Sequence, residues 1–266
     1  MRFESIDMIK GIAVVFMIIF HIFYFPNKYG YPEFNYNTKL LNTMAKIAQI
    51  IFITGVGLNM YISYKNEEEK KKKNKKAKSE FLKKQLLRTT KLIVLAVFVS
   101  IFSYFVFGDM FVKFGILHFM AFSSLLVLPF VDSPKIITGI IGITIFIRYL
   151  VSKNQETFSN VNPKFAFITG LYSRYGAVDH FPVTPWIIFI CIGLILGRVI
   201  SDKKNATLLK VIEDKDKKED KVTVKNGFKK GLKWCGKNSL EIYIVHWILL
   251  FLFFAYIYPK LRNNQD

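Results

Sequence analysis

The chain has only four histidines, His21, His118, His180 and His246, and each lies in or beside an apolar segment. Imidazole is the side chain whose ordinary pKa lets it take up or release a proton near neutral pH. An ionisable group at membrane depth costs about 2.5 kcal/mol or more by insertion scales, so such groups usually face a protein interior or a watery cavity. The four histidines therefore predict a site of proton transfer.

The first apolar segment carries Asp7, Lys10 and His21 on one helical stripe. At roughly 100° per residue, the step from Lys10 to His21 returns to within about 20° of the same face, and Asp7 falls within about 40° of it. Asp7 and Lys10 would lie at one mouth of a membrane span, with His21 roughly 16 Å further along it. The alternative is an ordinary surface pair of Asp7 and Lys10, with His21 extending to the membrane interface.

The last apolar segment repeats this pattern with Ser239, Tyr243 and His246. Their spacings of four and three residues place them on one helix face. This face predicts a small hydrogen-bonded network around His246. The alternative is a buried histidine that bonds only to a neighbouring carbonyl.

The remaining two histidines begin or precede apolar segments. His118 lies within one turn of Gly115, where a span begins, and His180 follows Asp179 just before the chain re-enters the membrane. Together with His21, they are expected at one depth near the outer surface. General-base chemistry needs one histidine and a carboxylate to orient it, so the pattern predicts His21 as the base and Asp179 as its partner.

The same residue types can also bind zinc, which needs three or four ligands at about 2.0–2.2 Å. The sequence has no HxxxH or HxH spacing, and its two cysteines, Cys191 and Cys235, form no CxxC motif. No metal is therefore expected, and the two cysteines are not expected to form a disulfide.

The elements that position these residues are long apolar runs in a chain that is 52% hydrophobic. A bilayer core of about 30 Å needs roughly 17–25 apolar residues. The pattern predicts an all-α fold, a polytopic transmembrane helical bundle of about seven spans in a single domain, residues 1–266. The predicted spans are Met8–Phe25, Met44–Tyr64, Lys91–Phe107, Gly115–Val131, Ile136–Val151, Pro182–Ile200 and Asn238–Tyr258.

Two basic segments set the predicted topology. Residues 65–91 and 201–237 together hold 24 of the 38 Lys and Arg residues, so both are expected to be cytoplasmic loops. Seven spans then place the N-terminus in the cytoplasm and the loop 152–181 outside. Neither segment interleaves aromatic residues for base stacking, so nucleic-acid binding is not expected.

Glycines mark expected helix contacts. Gly193 and Gly197 have the small-xxx-small spacing that lets two membrane helices approach closely. Gly55 and Gly57 would either break the second helix and expose its backbone or serve the same kind of packing.

The chain carries four motifs in order, namely residues 2–13 followed by His21, residues 114–118, residues 179–186 and residues 236–246. Together they resemble the heparan-alpha-glucosaminide N-acetyltransferase-like membrane family, and more distantly the acyltransferase-3 family. In the latter the first span also pairs a basic residue with a histidine eleven positions on. Lys10 stands where these families usually have Arg, which keeps the charge and loses the bidentate fork.

This resemblance implies a multi-pass enzyme of the cell membrane that moves an acyl group, which is acetyl in the family's usual chemistry. The donor would be cytoplasmic acyl-CoA, and the acceptor would be a hydroxyl or amine of an extracytoplasmic glycan or similar molecule. Asp7 and Lys10 would bind the acyl-CoA, and His21 and Asp179 would be catalytic. The residues expected to contact the acceptor are His118, His180, Trp186, Tyr243 and His246.

Several alternatives stay open at this point. A proton-coupled small-molecule transporter or flippase would also place histidines along a membrane path, although no repeated halves are evident. A noncatalytic membrane scaffold would leave the histidines with structural bonds alone. The sequence is also compatible with O- or N-acylation, with direct transfer or an acyl-histidine, and with a monomer or a homo-oligomer.

Overall fold

The chain is built from α-helices. A computed structural model describes residues 3–71, 77–171, 179–202, 205, 207 and 225–263, and no β-strand occurs in these ranges. The helices are α1 Glu4–Lys28, α2 Lys39–Lys71, α3 Ala77–Phe107, α4 Ile116–Val127, α5 Pro134–Lys153, α6 Gln155–Ser159, α7 Pro163–Thr169, α8 Val183–Ser201, α9 Lys225–Lys237, α10 Ser239–Leu252 and α11 Tyr258–Asn263. Short 3₁₀ turns follow α3 and α4, and a π-helical turn at Phe253–Ile257 follows α10.

Six helical segments in the described ranges are long and apolar enough to cross a membrane, which confirms the predicted polytopic helical class. They contain α1, α2, α3, α5, α8 and α10. The predicted fourth span corresponds to a shorter apolar helix, Ile116–Phe130. At 1.5 Å per residue it is roughly 22 Å long, less than the bilayer core of about 30 Å. The count of seven crossings, like the cytoplasmic N-terminus, stays a prediction.

The helices divide into two compact units by their contacts. Unit one comprises the described residues within 53–206, and unit two comprises the described residues within 2–52 and 207–266. The boundary falls inside α2. The prediction of a single domain over residues 1–266 stays a prediction.

In unit one, glycines bring α2 and α8 into backbone contact. A Cβ on Gly57 would collide with the carbonyl of Ile190, and a Cβ on Gly193 would collide with the carbonyl of Thr54. The predicted packing role of Gly193 is thus confirmed. α2 continues through Gly55 and Gly57 without a break, so the predicted interruption is wrong. The packing alternative is confirmed at Gly57.

The first basic segment is largely helical. α2 continues past the predicted span end at Tyr64 to Lys71, and α3 begins at Ala77, well before Lys91. The two helices touch here, because the Tyr64 and Phe81 rings lie 5.4 Å apart between centroids. Residues 65–71 and 77–91 are called the basic hairpin below; residues 72–76 lie outside the described part.

In unit two, α9 crosses the beginning of α1. A Cβ on Gly11 would strike the carbonyl of Leu232, and a Cβ on Gly236 would strike the carbonyl of Asp7. Lys233 Nζ also donates to Glu4 Oε2 over 2.8 Å. Residues 225–237 of the second predicted basic loop are therefore helical and form α9. Most of the rest of that loop lies outside the described residues.

Candidate active site

Two of the four histidines form a hydrogen-bonded pair in unit two. His246 Nε2 lies 3.1 Å from His21 Nδ1, and the ring centroids are 5.0 Å apart. His21 is on α1 and His246 is on α10, with 225 positions between them. Each lies well inside a long apolar helix, so the pair lies within the candidate membrane spans.

A backbone carbonyl determines which histidine of this pair donates the hydrogen bond. His246 Nδ1 lies 3.0 Å from the carbonyl oxygen of Ile242, which can only accept, so Nδ1 of His246 carries the proton. In neutral His246, Nε2 is then an acceptor, and His21 Nδ1–H donates to it. The remaining nitrogen of neutral His21, Nε2, therefore has a lone pair that can take a proton.

Aromatic rings surround the pair. The Phe25 and Trp247 rings lie 5.7 Å and 5.9 Å from that of His21, and they contact each other edge-on at 4.8 Å. The buried ring of Tyr243 lies 5.7 Å from that of His246. Tyr243 and His246 therefore pack together on this face of α10, and the aromatic rings hold the His21 ring in place. The predicted hydrogen-bonded network with Ser239 stays a prediction.

An open apolar groove of about 560 Å³ reaches His246. Asn238, Glu241 and Trp234 line it on one side of His246 along the chain, and Leu249 and Leu250 line it on the other. Ile18 and Ile22 of α1 contribute to the same lining. The groove can therefore hold an elongated, mostly apolar group with one polar end.

Asp7 and Lys10 lie near the beginning of α1, where α9 crosses it. Asp7 belongs to the first helical turn, where a carboxylate is favoured by the helix dipole. Lys10 is partly buried. Their predicted role in binding acyl-CoA stays a prediction.

His118, in unit one, has both ring nitrogens engaged. Its Nδ1 accepts from the backbone N–H of Gly115 at 3.3 Å, so its Nε2 carries the proton and donates to Ser100 Oγ at 3.3 Å. Ser100 Oγ in turn donates to the carbonyl of Val112 at 2.6 Å. These bonds cap the beginning of α4 and satisfy the imidazole, which leaves neutral His118 without a nitrogen to act as base.

Asp179 lies at the same helix beginning. Its Oδ2 accepts from the backbone N–H of Ile116 at 3.4 Å, and its left-handed backbone, with φ of 57°, turns the loop towards α4. Burial raises the pKa of Asp179 to about 6, although the bond from Ile116 acts in the opposite direction. A carboxyl of this kind can change protonation close to neutral pH.

His180 and Trp186 pack against apolar neighbours in unit one. The His180 ring stacks on that of Phe167 at 3.9 Å, and its Nε2 donates to the carbonyl of Phe167 at 2.8 Å. Burial lowers the pKa of His180, so the neutral ring is favoured. Trp186 contacts Phe181 with ring centroids 4.8 Å apart. The predicted contacts of these residues with an acceptor stay predictions.

The structure thus groups the predicted residues into two sets, His21 with Tyr243 and His246, and His118 with Asp179. The predicted pairing of His21 with Asp179 joins residues of different units and stays a prediction. Sequence reasoning missed Ser100 and Trp247. The position of Trp247 next to His246 was a usable signal, whereas a single serine in an apolar span is uninformative. Among the described residues, no three potential metal ligands lie together.

Comparison with known families supplies the class of chemistry. The family model described as heparan-alpha-glucosaminide N-acetyltransferase, catalytic, matches residues 2–248. The chain belongs to this family. The match includes all four motifs of the sequence resemblance, which is thereby confirmed. No curated protein and no solved structure matches the chain. With this family and six candidate spans in its described residues, the chain is a multi-pass membrane protein of a transferase family.

Proposed function

We propose that this heparan-alpha-glucosaminide N-acetyltransferase-like protein moves an acetyl group across the cell membrane, from cytoplasmic acetyl-CoA to an amine or hydroxyl of an extracytoplasmic glycan. The observation that carries the proposal is the hydrogen bond between His21 and His246 inside the candidate spans. It supports a positioned base in an apolar environment, in a chain whose family transfers acetyl groups.

His21 is the proposed general base, through Nε2. As the acceptor nitrogen or oxygen attacks the thioester carbon, Nε2 takes the proton from the acceptor, the carbon–sulfur bond breaks, and the CoA thiolate leaves. The thiolate then takes up a proton, so that the products are the acetylated acceptor and CoA. His246 holds the His21 tautomer that makes this possible.

The donor is proposed to occupy the apolar groove that reaches His246. Its lining suits the pantetheine arm and acyl group, and the polar side chains of Asn238 and Glu241 suit an amide-bearing chain. Lys10, near the beginning of α1, would attract the phosphates of CoA. The lysines of α9 add positive charge near that end of the same unit.

The acceptor is proposed to approach from the outer side, where topology places the loop 152–181. Asp179, His180 and Trp186 lie at the end of this loop or just after it, and His118 lies beside Asp179 at the beginning of α4. We propose that this surface contacts the acceptor, and that Tyr243 and His246 of unit two also take part in binding it.

Reconstituted vesicles test the proposal. With labelled acetyl-CoA on the side of the basic segments and a glucosaminide on the other, wild-type protein should form acetylated glucosaminide, and His21→Ala should not. Lys83→Ala, an exposed change on α3, is the control for handling and reconstitution. Equal product from His21→Ala and wild type would remove His21 from the reaction. If wild-type protein forms no product with acetyl-CoA supplied on either side of the membrane, the proposed donor or acceptor is wrong.

A further inference from the structure

The apolar groove that reaches His246 continues beyond this histidine. Six of the residues that line it lie on α10, from Glu241 to Leu250, at alternating steps of one and three residues. Such steps keep the six residues on one helix face, so the groove follows α10 for roughly 14 Å at 1.5 Å per residue. His246 lies five residues after the first of them and four before the last. The groove therefore has two parts, which meet at His246.

The two parts differ in polarity. The part before His246 contains two polar side chains, those of Glu241 and, just ahead of α10, Asn238. The residues of α10 that line the part after His246 are Leu249 and Leu250. This second part is called the distal groove below. A ligand that fits both parts has a polar section, followed by an alkyl chain.

Helix α1 contributes Ile22 to the distal groove. α1 and α10 run in the same direction, because His21 contacts His246 and, further along both helices, the rings of Tyr29 and Phe251 lie 6.2 Å apart. Ile22 lines the groove and directly follows His21, so it lies on the distal side of the histidine pair. Aliphatic side chains of both helices therefore line the distal groove.

We propose that the distal groove binds the alkyl chain of the acyl donor, so that the protein transfers straight acyl groups longer than acetyl. This rests on the proposed function, in which the pantetheine arm occupies the part before His246 and the thioester lies beside the histidine pair. The distance along α10 from His246 to Leu250 is roughly 6 Å, which suits an acyl group of about six carbons. The tail of a bilayer lipid, the alternative occupant, has no group that matches Asn238 and Glu241.

The bonds that form and break are those of acetyl transfer. The acceptor nitrogen or oxygen bonds to the acyl carbon as the carbon–sulfur bond breaks, and His21 Nε2 takes the proton of the acceptor. The CoA thiolate leaves and is then protonated. The alkyl chain takes no part in these bonds, so its length acts on kcat/KM through binding and positioning alone.

A competition between two donors tests the proposal. Full-length protein in vesicles receives acetyl-CoA and butyryl-CoA at equal concentrations with a glucosaminide acceptor, and mass spectrometry counts the two products. Wild type should form butyrylated product at least as fast as acetylated product. Leu250→Trp, which fills the distal groove, should lower the butyryl-to-acetyl ratio roughly tenfold. Leu252→Trp, at an exposed position of the same helix outside the groove lining, should leave this ratio unchanged.

The outcomes separate this proposal from the proposed function. Acetylated product without butyrylated product from wild type would overturn the distal groove as an acyl site and leave the proposed function intact. Absence of both products would overturn the proposed function, and this proposal with it. An equal ratio for Leu250→Trp and Leu252→Trp would assign the distal groove to bilayer lipid. Ile22→Trp, on the facing helix, should lower the ratio in the same way and replaces Leu250→Trp if that variant does not fold.

Discussion

His21 donates through Nδ1 to His246 Nε2 over 3.1 Å, while the carbonyl of Ile242 accepts from the other nitrogen of His246. The carbonyl of Ile242 thereby determines which nitrogen of His246 carries a proton, and His246 in turn determines which nitrogen of His21 does. A base whose tautomer is fixed before the substrate arrives needs less reorganisation during the reaction. The effect expected on replacing His21 depends on this fixed tautomer.

His21→Ala and His21→Asn should both abolish measurable transfer, because neither side chain can take a proton and a positioned base contributes about 10²–10⁴-fold in rate. His246→Ala should lower kcat less, since it removes the group that orients the base and leaves the base itself. Steady-state kinetics with acetyl-CoA should show the loss in kcat, with KM near wild type. Transfer that survives both His21 variants would assign the base to another residue.

Lys10→Ala should weaken acyl-CoA binding, because it removes a cation from the proposed phosphate end of the donor. Loss of a hydrogen bond to a charged group is worth about 1.5–3 kcal/mol, or roughly ten- to hundredfold in Kd. Lys10→Arg should bind acyl-CoA normally, since it keeps the charge and restores the residue usual in the resembling families. Equilibrium binding of CoA measures both. An unchanged Kd for Lys10→Ala would make Lys10 an interfacial anchor.

The two basic segments should both be cytoplasmic, and this requires α4 to act as a crossing. Four apolar helices, α3, α4, α5 and α8, separate the segments, and only an even number of crossings returns the chain to the same side. In a Cys235→Ser background, Lys83→Cys and Asn160→Cys should react oppositely with an impermeant thiol reagent in intact cells. Equal labelling would contradict the predicted topology.

Asp179→Asn should stabilise the protein above about pH 6 and leave its stability unchanged near pH 3. The folded-state pKa of Asp179 is raised to about 6, so the folded state disfavours the charged form. Below the ordinary pKa of 3.8 the carboxyl is neutral in both states, and the cost of charging it appears as pH rises and is complete above about 6. Thermal unfolding at pH 3 and pH 8 measures the difference. Should Asp179 also be catalytic, transfer will fall in the stabilised variant.

Gly57→Ala should destabilise unit one by about 1–3 kcal/mol, because its Cβ would collide with the backbone of Ile190. Gly142→Ala is the matched control, since that glycine lies in α5 with open space around it. It should stabilise its helix slightly through the better propensity of alanine. Thermal unfolding of the two variants in one detergent compares them. A Gly57→Ala protein as stable as Gly142→Ala would show that α2 and α8 can separate without cost.

Local patterns predicted much of this architecture. The helical period is a local pattern that relates residues within a few turns of each other. It predicts the shared face of Tyr243 and His246, the helix contact at Gly193 and the apolar helices. The pairing of His21 with His246 spans 225 positions, and no spacing rule connects residues so far apart. Sequence analysis therefore placed both histidines in a site but assigned His21 to Asp179.

The basic hairpin shows a different limit. Its lysines and glutamates indicated a solvated loop, yet these residues also have good helix propensity. Glu67 and Lys70 pair at a spacing of three along α2, which is a local signal for helix that could have been used. The bond from Lys84 to Glu67 could not be foreseen, because it depends on the two helices lying side by side.

The carbonyl of Ile242 has a consequence for membrane energetics. A proton moves along a hydrogen-bonded chain only where every member can both accept and donate, and a backbone carbonyl cannot donate. The series from His21 through His246 therefore ends at Ile242, and a proton captured by His21 has no onward route through this pair. A proton-exchanging pair within candidate membrane spans therefore does not by itself form a path along which protons could dissipate an electrochemical gradient.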